Sequence, residues 1–368
     1  MKRAGNLWPL VVSFENLLGA AEDAARGKRK RPDVACFLLN LEGELVRLRE
    51  ELESGQYRPG PYRTFEVREG KRRLISAAPF RDRVVHHALT RILEPILERR
   101  FTHYSFACRR GKGTHAALQV AAEGCRCFPY VLKCDVRKYF ASIDHAILKG
   151  MLARVVKCQR TMELAARIID GSNAQEEASA YFPGDDLFTP LQRRRGLPLG
   201  NQTSQFFANV YLNSMDQFVL RYLRPGLYAR YVDDFLLFGE DKAALARMRE
   251  RLEEFLAARR LRLHPGKSRV YRTRDGVTFL GWRVFPDRIR LVRSNVVRFR
   301  RRMRTMREAC LKGEMELSQA TQHVQAWVAH AEHGQTRRLR RQLFAQYLFR
   351  RKEQGRIRSA GRVLEQQS

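Results

Sequence analysis

Apolar residues recur along this chain with two periods, and the switches between them mark out its elements. Alternation predicts a strand at Tyr130–Val136, and Tyr62–Val67 and Arg72–Ile75, flanking Glu69-Gly70, read as a β-hairpin with a Gly-containing turn. Helical stretches are predicted near 33–54, Phe80–Phe101, His145–Val156 and Gln202–Leu220. Asp241–Arg260 places Leu245, Met248, Leu252, Phe255 and Leu256 on one face of an amphipathic helix. Punctuation supports these bounds. Asp144 is placed to cap the helix that begins at His145, Pro95 predicts a kink or break, and Arg58-Pro59-Gly60-Pro61 interrupts the chain. Residues 171–195, rich in Gly, Pro, Ser and acidic residues, read as a loop. Tyr228–Phe238 reads as another hairpin, and strands near Ser268–Tyr271 and Val277–Val284 close an α/β unit.

That hairpin contains an anomaly. In Arg230-Tyr231-Val232-Asp233-Asp234-Phe235-Leu236-Leu237-Phe238 two adjacent carboxylates interrupt an apolar, β-prone run. Burying unpaired carboxylates is strongly unfavourable, so the pair belongs at a hairpin tip aimed at a cation. The bland alternative is that Asp is a common turn residue for backbone reasons. A third acid shifts the balance: Asp135 ends the apolar strand before Val136 and Phe140. A strand-end Asp and a hairpin-tip Asp pair on adjacent strands can bring carboxylates together to hold two Mg²⁺ ions. Such ions activate a 3′-hydroxyl and stabilise a leaving pyrophosphate.

Composition narrows the partner. The 368 residues carry 70 Lys+Arg against 39 Asp+Glu, a net charge of +31, which implies a polyanion: nucleic acid first, an acidic membrane surface second. From about Phe285 the sequence becomes mostly helical and basic, and residues 281–368 hold 21 basic and 7 acidic side chains. A charge run is usually a solvated face; here a grip on a phosphate backbone is the favoured reading. No run of about 18 apolar residues exists to span a bilayer, and the first 18 residues do not read as a secretory signal. Seven cysteines, an odd number without a Cys-x-x-Cys pair, argue against a disulfide framework or structural zinc and fit a cytoplasmic location.

On these residues the chain resembles the reverse transcriptases. Tyr231-Val232-Asp233-Asp234 is similar to their Tyr-x-Asp-Asp motif, and Asp135 with Phe140 to their first palm motif. In the same order, Arg72–Ser76 through Arg81-Asp82-Arg83 resembles the fingers segment that meets the incoming triphosphate. Gly196–Gln205 resembles the loop and helix under the templating pair, and Leu263–Ser268 the motif with a lysine near pyrophosphate. Phe279-Leu280-Gly281 resembles the primer grip.

The resemblance implies an α/β (α+β) right-hand polymerase with an antiparallel palm sheet and a basic α-helical thumb. It places an N-terminal helical extension at 1–60, fingers at 61–130, a palm at 131–285 with a fingers insertion at about 150–200, and a thumb at 286–368. Asp135, Asp233 and Asp234 would be catalytic and bind two Mg²⁺ ions, or Mn²⁺ as substitute, with the Val136 carbonyl assisting. Phe140 would lie under the sugar and reject a ribose 2′-hydroxyl; its bland reading is core packing. Arg73, Arg81, Leu199, Gly200, Gln205 and Lys267 would line the nucleotide, Lys267 either protonating pyrophosphate or standing as a solvated turn lysine. Implied partners are template RNA, the RNA/cDNA duplex and dNTPs.

One departure points to a branch. Many reverse transcriptases carry Gln where this chain has Leu199, and losing one polar contact of roughly 1 kcal/mol or more relaxes nucleotide selection severalfold. Leu199–Asn209, Gly5–Pro9 and Ser76–Arg83 are similar to the diversity-generating retroelement branch. Membership there implies error-prone copying opposite template adenines and a small basic accessory protein that can be oligomeric. The alternatives are a related enzyme domesticated for antiviral defence, and a catalytically idle nucleic-acid-binding protein on a polymerase scaffold. Other segments carry less. Gly111-Lys112-Gly113-Thr114 lacks Walker spacing, and Asp185-Asp186 reads as a surface turn. His86 and His87 read as packing residues. His323, His330 and His333 lack a metal quartet and read as RNA-facing or structural.

Overall fold

The structure, a computed structural model, describes residues 2–69, 71–172, 180–347 and 349. Four N-terminal helices, α1 (Trp8–Val11), α2 (Phe14–Ala25), α3 (Pro32–Leu39) and α4 (Leu41–Glu53), lead to the hairpin β1 (Arg63–Glu69) and β2 (Lys71–Ala77). Then come α5 (Phe80–Glu98), α6 (Thr114–Cys127), β3 (Tyr130–Asp135), α7 (Tyr139–Ser142), α8 (His145–Ala153), α9 (Gln159–Asp170), α10 (Thr189–Gln192) and α11 (Gln202–Phe218). A π-helical turn over Val219–Leu223 delivers the chain to β4 (Leu227–Tyr231) and β5 (Asp234–Gly239), followed by α12 (Lys242–Ala257) and β6 (Arg269–Arg272). Three short strands, β7 (Val277–Phe279), β8 (Trp282–Val284) and β9 (Ile289–Leu291), precede α13 (Arg293–Lys312), α14 (Leu317–Ala331) and α15 (Arg337–Gln346).

The central sheet is antiparallel with strand order β4-β5-β3-β6. Side chains alternate between its faces, and the two faces feed two cores. Leu132, Cys134, Phe235 and Leu237 join the larger core with residues of α11 and α12. Val131, Ala229, Leu236 and Phe238 join Ala117, Leu118 and Ala121 of α6 and the β7-β8-β9 sheet. Each fully buried Leu or Phe contributes roughly 1.5–3 kcal/mol. Helix α6 approaches closely because Gly124 faces Phe238: a Cβ there would stand 2.5 Å from the ring. A mixed helix-and-sheet fold with antiparallel sheets thus matches the expected class.

Several boundaries differ from the sequence reading. The helix expected near 33–54 is two helices, because Asn40 leaves helical geometry at φ −122° and ψ 44°. Pro95 sits inside α5 without ending it. Val277–Val284 does not close the central sheet; it folds as the β7-β8 hairpin of a separate three-stranded sheet, while β6 takes the edge. Asp144 does cap α8, accepting from Ile147 N at 3.0 Å. Asp185 is no surface turn residue: its side chain is 1% exposed because Arg193 and Arg260 both pair with it. Asp186, exposed, accepts from Thr189 N at 2.7 Å just before α10. Gly70 of the first turn, 173–179 of the expected loop, and 348 and 350–368 of the basic tail lie outside the described residues. All seven cysteines are free thiols, and among the described residues no helix is long and apolar enough to cross a membrane.

Candidate active site

The register of the hairpin builds the site. Tyr231 pairs with Asp234 across β4 and β5, leaving Val232 and Asp233 as a two-residue turn. Val232 adopts φ 57°, a left-handed conformation that a β-branched residue avoids. The turn is held from both sides: Arg230 Nη1 donates to the Val232 carbonyl at 3.0 Å, and Val136 N donates to the Asp233 carbonyl at 3.1 Å. On the neighbouring strand, Asp135 stands directly opposite Asp234. Directly paired residues share a sheet face, so the two carboxyls leave the same side of the sheet, and Lys133, two residues before Asp135, joins them there.

The electrostatics of this face are unbalanced. Burial above all, opposed by Lys133 and assisted by Asp135 and Asp233, raises the Asp234 carboxyl to about 7. The Lys133 ammonium lies 3.5 Å from Asp234 Oδ2 and donates to the Thr278 carbonyl of β7 at 2.6 Å. Asp234 Oδ1 is buried without a hydrogen-bond partner. Asp135 accepts from Lys267 Nζ on both oxygens, at 2.9 and 3.0 Å. Lys267 is delivered by the 263–268 segment, which His264 anchors by donating its N–H to the Asp135 carbonyl at 2.7 Å. Among the described residues no three His, Cys, Asp or Glu side chains close around a common point. An orphaned buried carboxylate oxygen, opposed by a second carboxylate on the same face, nevertheless fits a hard divalent cation.

Other residues singled out in the sequence lie where β2, the loop before α11 and α7 meet. Phe140 is half-buried; its carbonyl accepts from Leu197 N at 2.8 Å, which seats the loop against α7. Leu199, half-buried, accepts on its carbonyl from Ser76 N of β2 at 3.0 Å. Gly200 has φ +113°, and a Cβ there would lie 2.7 Å from Ile75 Cγ2, so both conformation and space require glycine. Gln205 is exposed and accepts from Cys108 Sγ at 3.1 Å. Phe279-Leu280-Gly281 forms the β7-β8 turn, with Leu280 at φ 49° and Gly281 at φ 83°; Phe279 is buried in the core beneath.

Two arginines stand differently. Arg73 pairs with Val67 in the β1-β2 ladder, and its side chain lies outside what the structure describes. Arg81 is ion-paired with Glu51 of α4 and lies over the Tyr57 ring at 5.8 Å. Three further residues, missed in the sequence reading, hold these segments in place. Lys133 had a signal, a lone cation two residues before Asp135 in an apolar strand. Asn201 clips the loop to β2, donating to Ser76 O at 3.1 Å and accepting from Ala78 N at 3.3 Å. Asp216 on α11, the partner of Arg230, had no local signal. Thr114, at the start of α6, donates to the Tyr231 hydroxyl at 3.3 Å, which brings the end of the Gly111–Thr114 segment beside the hairpin. His330 and His333 pack on His115 of α6, and His323 contacts Arg302.

Carboxylates paired at the end of an antiparallel sheet, in a strongly basic chain, fit an enzyme that works on nucleic acid. Comparison with known families agrees: the family described as reverse transcriptase (RNA-dependent DNA polymerase) matches residues 63–284. The chain belongs to that family. It is 28% identical over 294 residues to protein YkfC of Escherichia coli K12, covering 69% of this chain and 74% of that protein. It is 25% identical over 183 residues to the group II intron-encoded protein LtrA of Lactococcus lactis, covering 49% of this chain and 29% of LtrA. It is 32% identical over 95 residues to nuclear intron maturase 1 of Arabidopsis thaliana, covering 25% of this chain and 13% of that protein. The chain therefore spans less than a third of these two intron-related proteins. The family generally works with divalent metal ions such as Mg²⁺, on an RNA template with dNTPs.

Proposed function

We propose that this chain is an active RNA-directed DNA polymerase, with fingers at 61–130, a palm at 131–285, a thumb at 286–368 and an N-terminal helical extension at 1–60. The observation that carries the reading is Asp135 directly opposite Asp234, with Asp233 in the turn beside it. Asp135, Asp233 and Asp234 would hold the divalent ions, which when bound activate the primer hydroxyl and stabilise the departing pyrophosphate. Phe140 excludes a 2′-hydroxyl by bulk. Lys267 leaves Asp135 and hands a proton to pyrophosphate. Arg73 and Arg81 hold the triphosphate, Arg81 after giving up Glu51. Gly200 and Gln205 line the nucleotide, the β7-β8 turn holds the primer, and the basic helices after β9 grip the duplex backbone. Primer extension on an RNA template with Mg²⁺ tests this. Synthesis by the wild type, abolished in Asp234→Ala, is expected; equal synthesis by both would refute it.

Within that reading the enzyme is error-prone and serves a diversity-generating retroelement with a small basic accessory protein. Leu199 supports this, because an aliphatic side chain offers the nascent pair no hydrogen bond. Sequencing the cDNA from a defined RNA is expected to show an excess of errors at template adenines. Errors spread evenly over the four bases would remove the diversification role. The likeness to intron-related proteins favours a second reading, an enzyme that copies its own intron RNA. The RNA that co-purifies with the protein separates the two.

A further inference from the structure

The Asp-Asp turn rests on a buried guanidinium. Arg230 and Asp216 are both fully buried, and they form a two-pronged ion pair: Nε to Oδ1 at 2.6 Å and Nη2 to Oδ2 at 2.7 Å. The remaining donors are also used. Nη2 reaches Ser105 Oγ at 2.9 Å, and Nη1 reaches Asn209 Oδ1 at 3.2 Å and the Val232 carbonyl at 3.0 Å. All five guanidinium N–H groups are therefore satisfied. Tyr228 steadies the acid by donating to Asp216 Oδ1 at 2.7 Å. Arg230 is fixed by its backbone too, with N donating to the Tyr104 carbonyl at 2.8 Å and its own carbonyl accepting from Phe106 N at 2.9 Å.

A buried ion pair is a poor way to gain stability alone, because desolvation offsets much of the attraction and an apolar pair packs as well. An apolar pair could not donate to the carbonyl of Val232. That carbonyl belongs to the residue whose left-handed backbone sets the direction of Asp233 and Asp234. Lysine would not serve, since a single ammonium lacks the planar fork that spans Asp216 and the turn together.

We propose that Arg230, anchored by Asp216, is a positioning residue: it holds Val232 left-handed and so fixes Asp233 and Asp234 against Asp135. The proposal rests on the polymerase reading for the chemistry it serves, and its test is separable from that reading. Wild type, Arg230→Lys, Val232→Gly and the double variant are compared in two measurements. One is Mn²⁺ binding followed by electron paramagnetic resonance; the other is primer-extension turnover at saturating nucleotide. Misplacement of the acids in Arg230→Lys is expected to slow turnover roughly tenfold or more, with little change in nucleotide KM, and to weaken Mn²⁺ binding severalfold. Glycine takes the left-handed turn without penalty, so Val232→Gly in the Arg230→Lys background is expected to recover most of both losses. Wild-type behaviour of Arg230→Lys, or a further loss on adding Val232→Gly, would overturn the proposal. If Arg230→Lys does not fold, Asp216→Asn, which keeps the shape and drops the counter-charge, carries the same comparison with the same two outcomes. Absence of extension by the wild type would defeat the polymerase reading, while the Mn²⁺ titrations would still decide for or against Arg230.

Discussion

Lys267 places one ammonium against both carboxylate oxygens of Asp135, at 2.9 and 3.0 Å. The lysine thus occupies the acid that a divalent ion would need, and opposite charges within hydrogen-bond reach compete directly with such an ion. Lys267→Met is expected to lower the Mg²⁺ concentration that half-saturates primer extension. If the same lysine also delivers a proton to pyrophosphate, the maximal rate falls by roughly 10²-fold at the same time. Extension rates across a Mg²⁺ series check both expectations. An unchanged Mg²⁺ requirement would remove the competing role, and an unchanged maximal rate would remove the proton donor.

Asp234 is costly where it stands. Its Oδ1 is buried without a partner, and its carboxyl is raised to about 7 by burial and by its acidic neighbours. Functional sites commonly hold such groups at the expense of stability. Asp234→Asn, measured without metal, is expected to raise unfolding stability by about 1–2 kcal/mol while removing a charge that primer extension needs. The rate loss should be on the order of 10²–10³-fold or more, as for other charge-stabilising groups. Denaturant melts and extension assays on the same preparation test the pairing; a variant both less stable and inactive would contradict it.

The legible parts of the site were those carried by local pattern. The Tyr228–Phe238 hairpin follows from its apolar, β-prone run broken by two acids, the strand ending at Asp135 from alternation, and Asp144 declared its cap by position. What stayed hidden depended on contacts between distant residues. Asp216 looks like any acid on a helix until the fold brings Arg230 against it. Asp185 resembled a solvated turn because the sequence does not reveal that Arg193 and Arg260 converge on it. Strand membership failed for the same reason: β7 and β8 alternate as strands should, but their separate sheet is decided by packing on α6. The break at Asn40 is a backbone choice inside a sequence with helical periodicity on both sides.

Gly200 couples the loop to β2. Its φ of +113° and the 2.7 Å gap between a Cβ and Ile75 Cγ2 are separate obstacles to a side chain. Gly200→Ala is expected to cost about 1–3 kcal/mol from backbone strain, plus the clash with Ile75. Combining it with Ile75→Ala relieves the clash and leaves the strain, so the double variant should be more stable than the sum of the single changes predicts. Thermal unfolding of the four proteins measures this coupling. Strict additivity would mean that the loop moves away from β2 at no cost.

His86 and His87, adjacent on α5, provide a pH dependence with a definite sign. Burial lowers His86 to about 3, assisted by His87 and Arg83. Burial also lowers His87 to about 4, with Asp23 opposing and Lys28, Arg91 and Arg83 assisting. In the unfolded chain both return towards 6.5. Below that value the unfolded state binds protons that the native state refuses. Stability is therefore full above about pH 6.5 and declines as the pH falls towards the native values, each histidine adding a slope of up to about 1.4 kcal/mol per pH unit. His86→Leu keeps an apolar fit in the core and removes one of the two titrations. Urea unfolding between about pH 5 and pH 7 should give a shallower pH dependence for this variant than for the wild type. Parallel curves for the two proteins would show that His86 is not held neutral in the folded state.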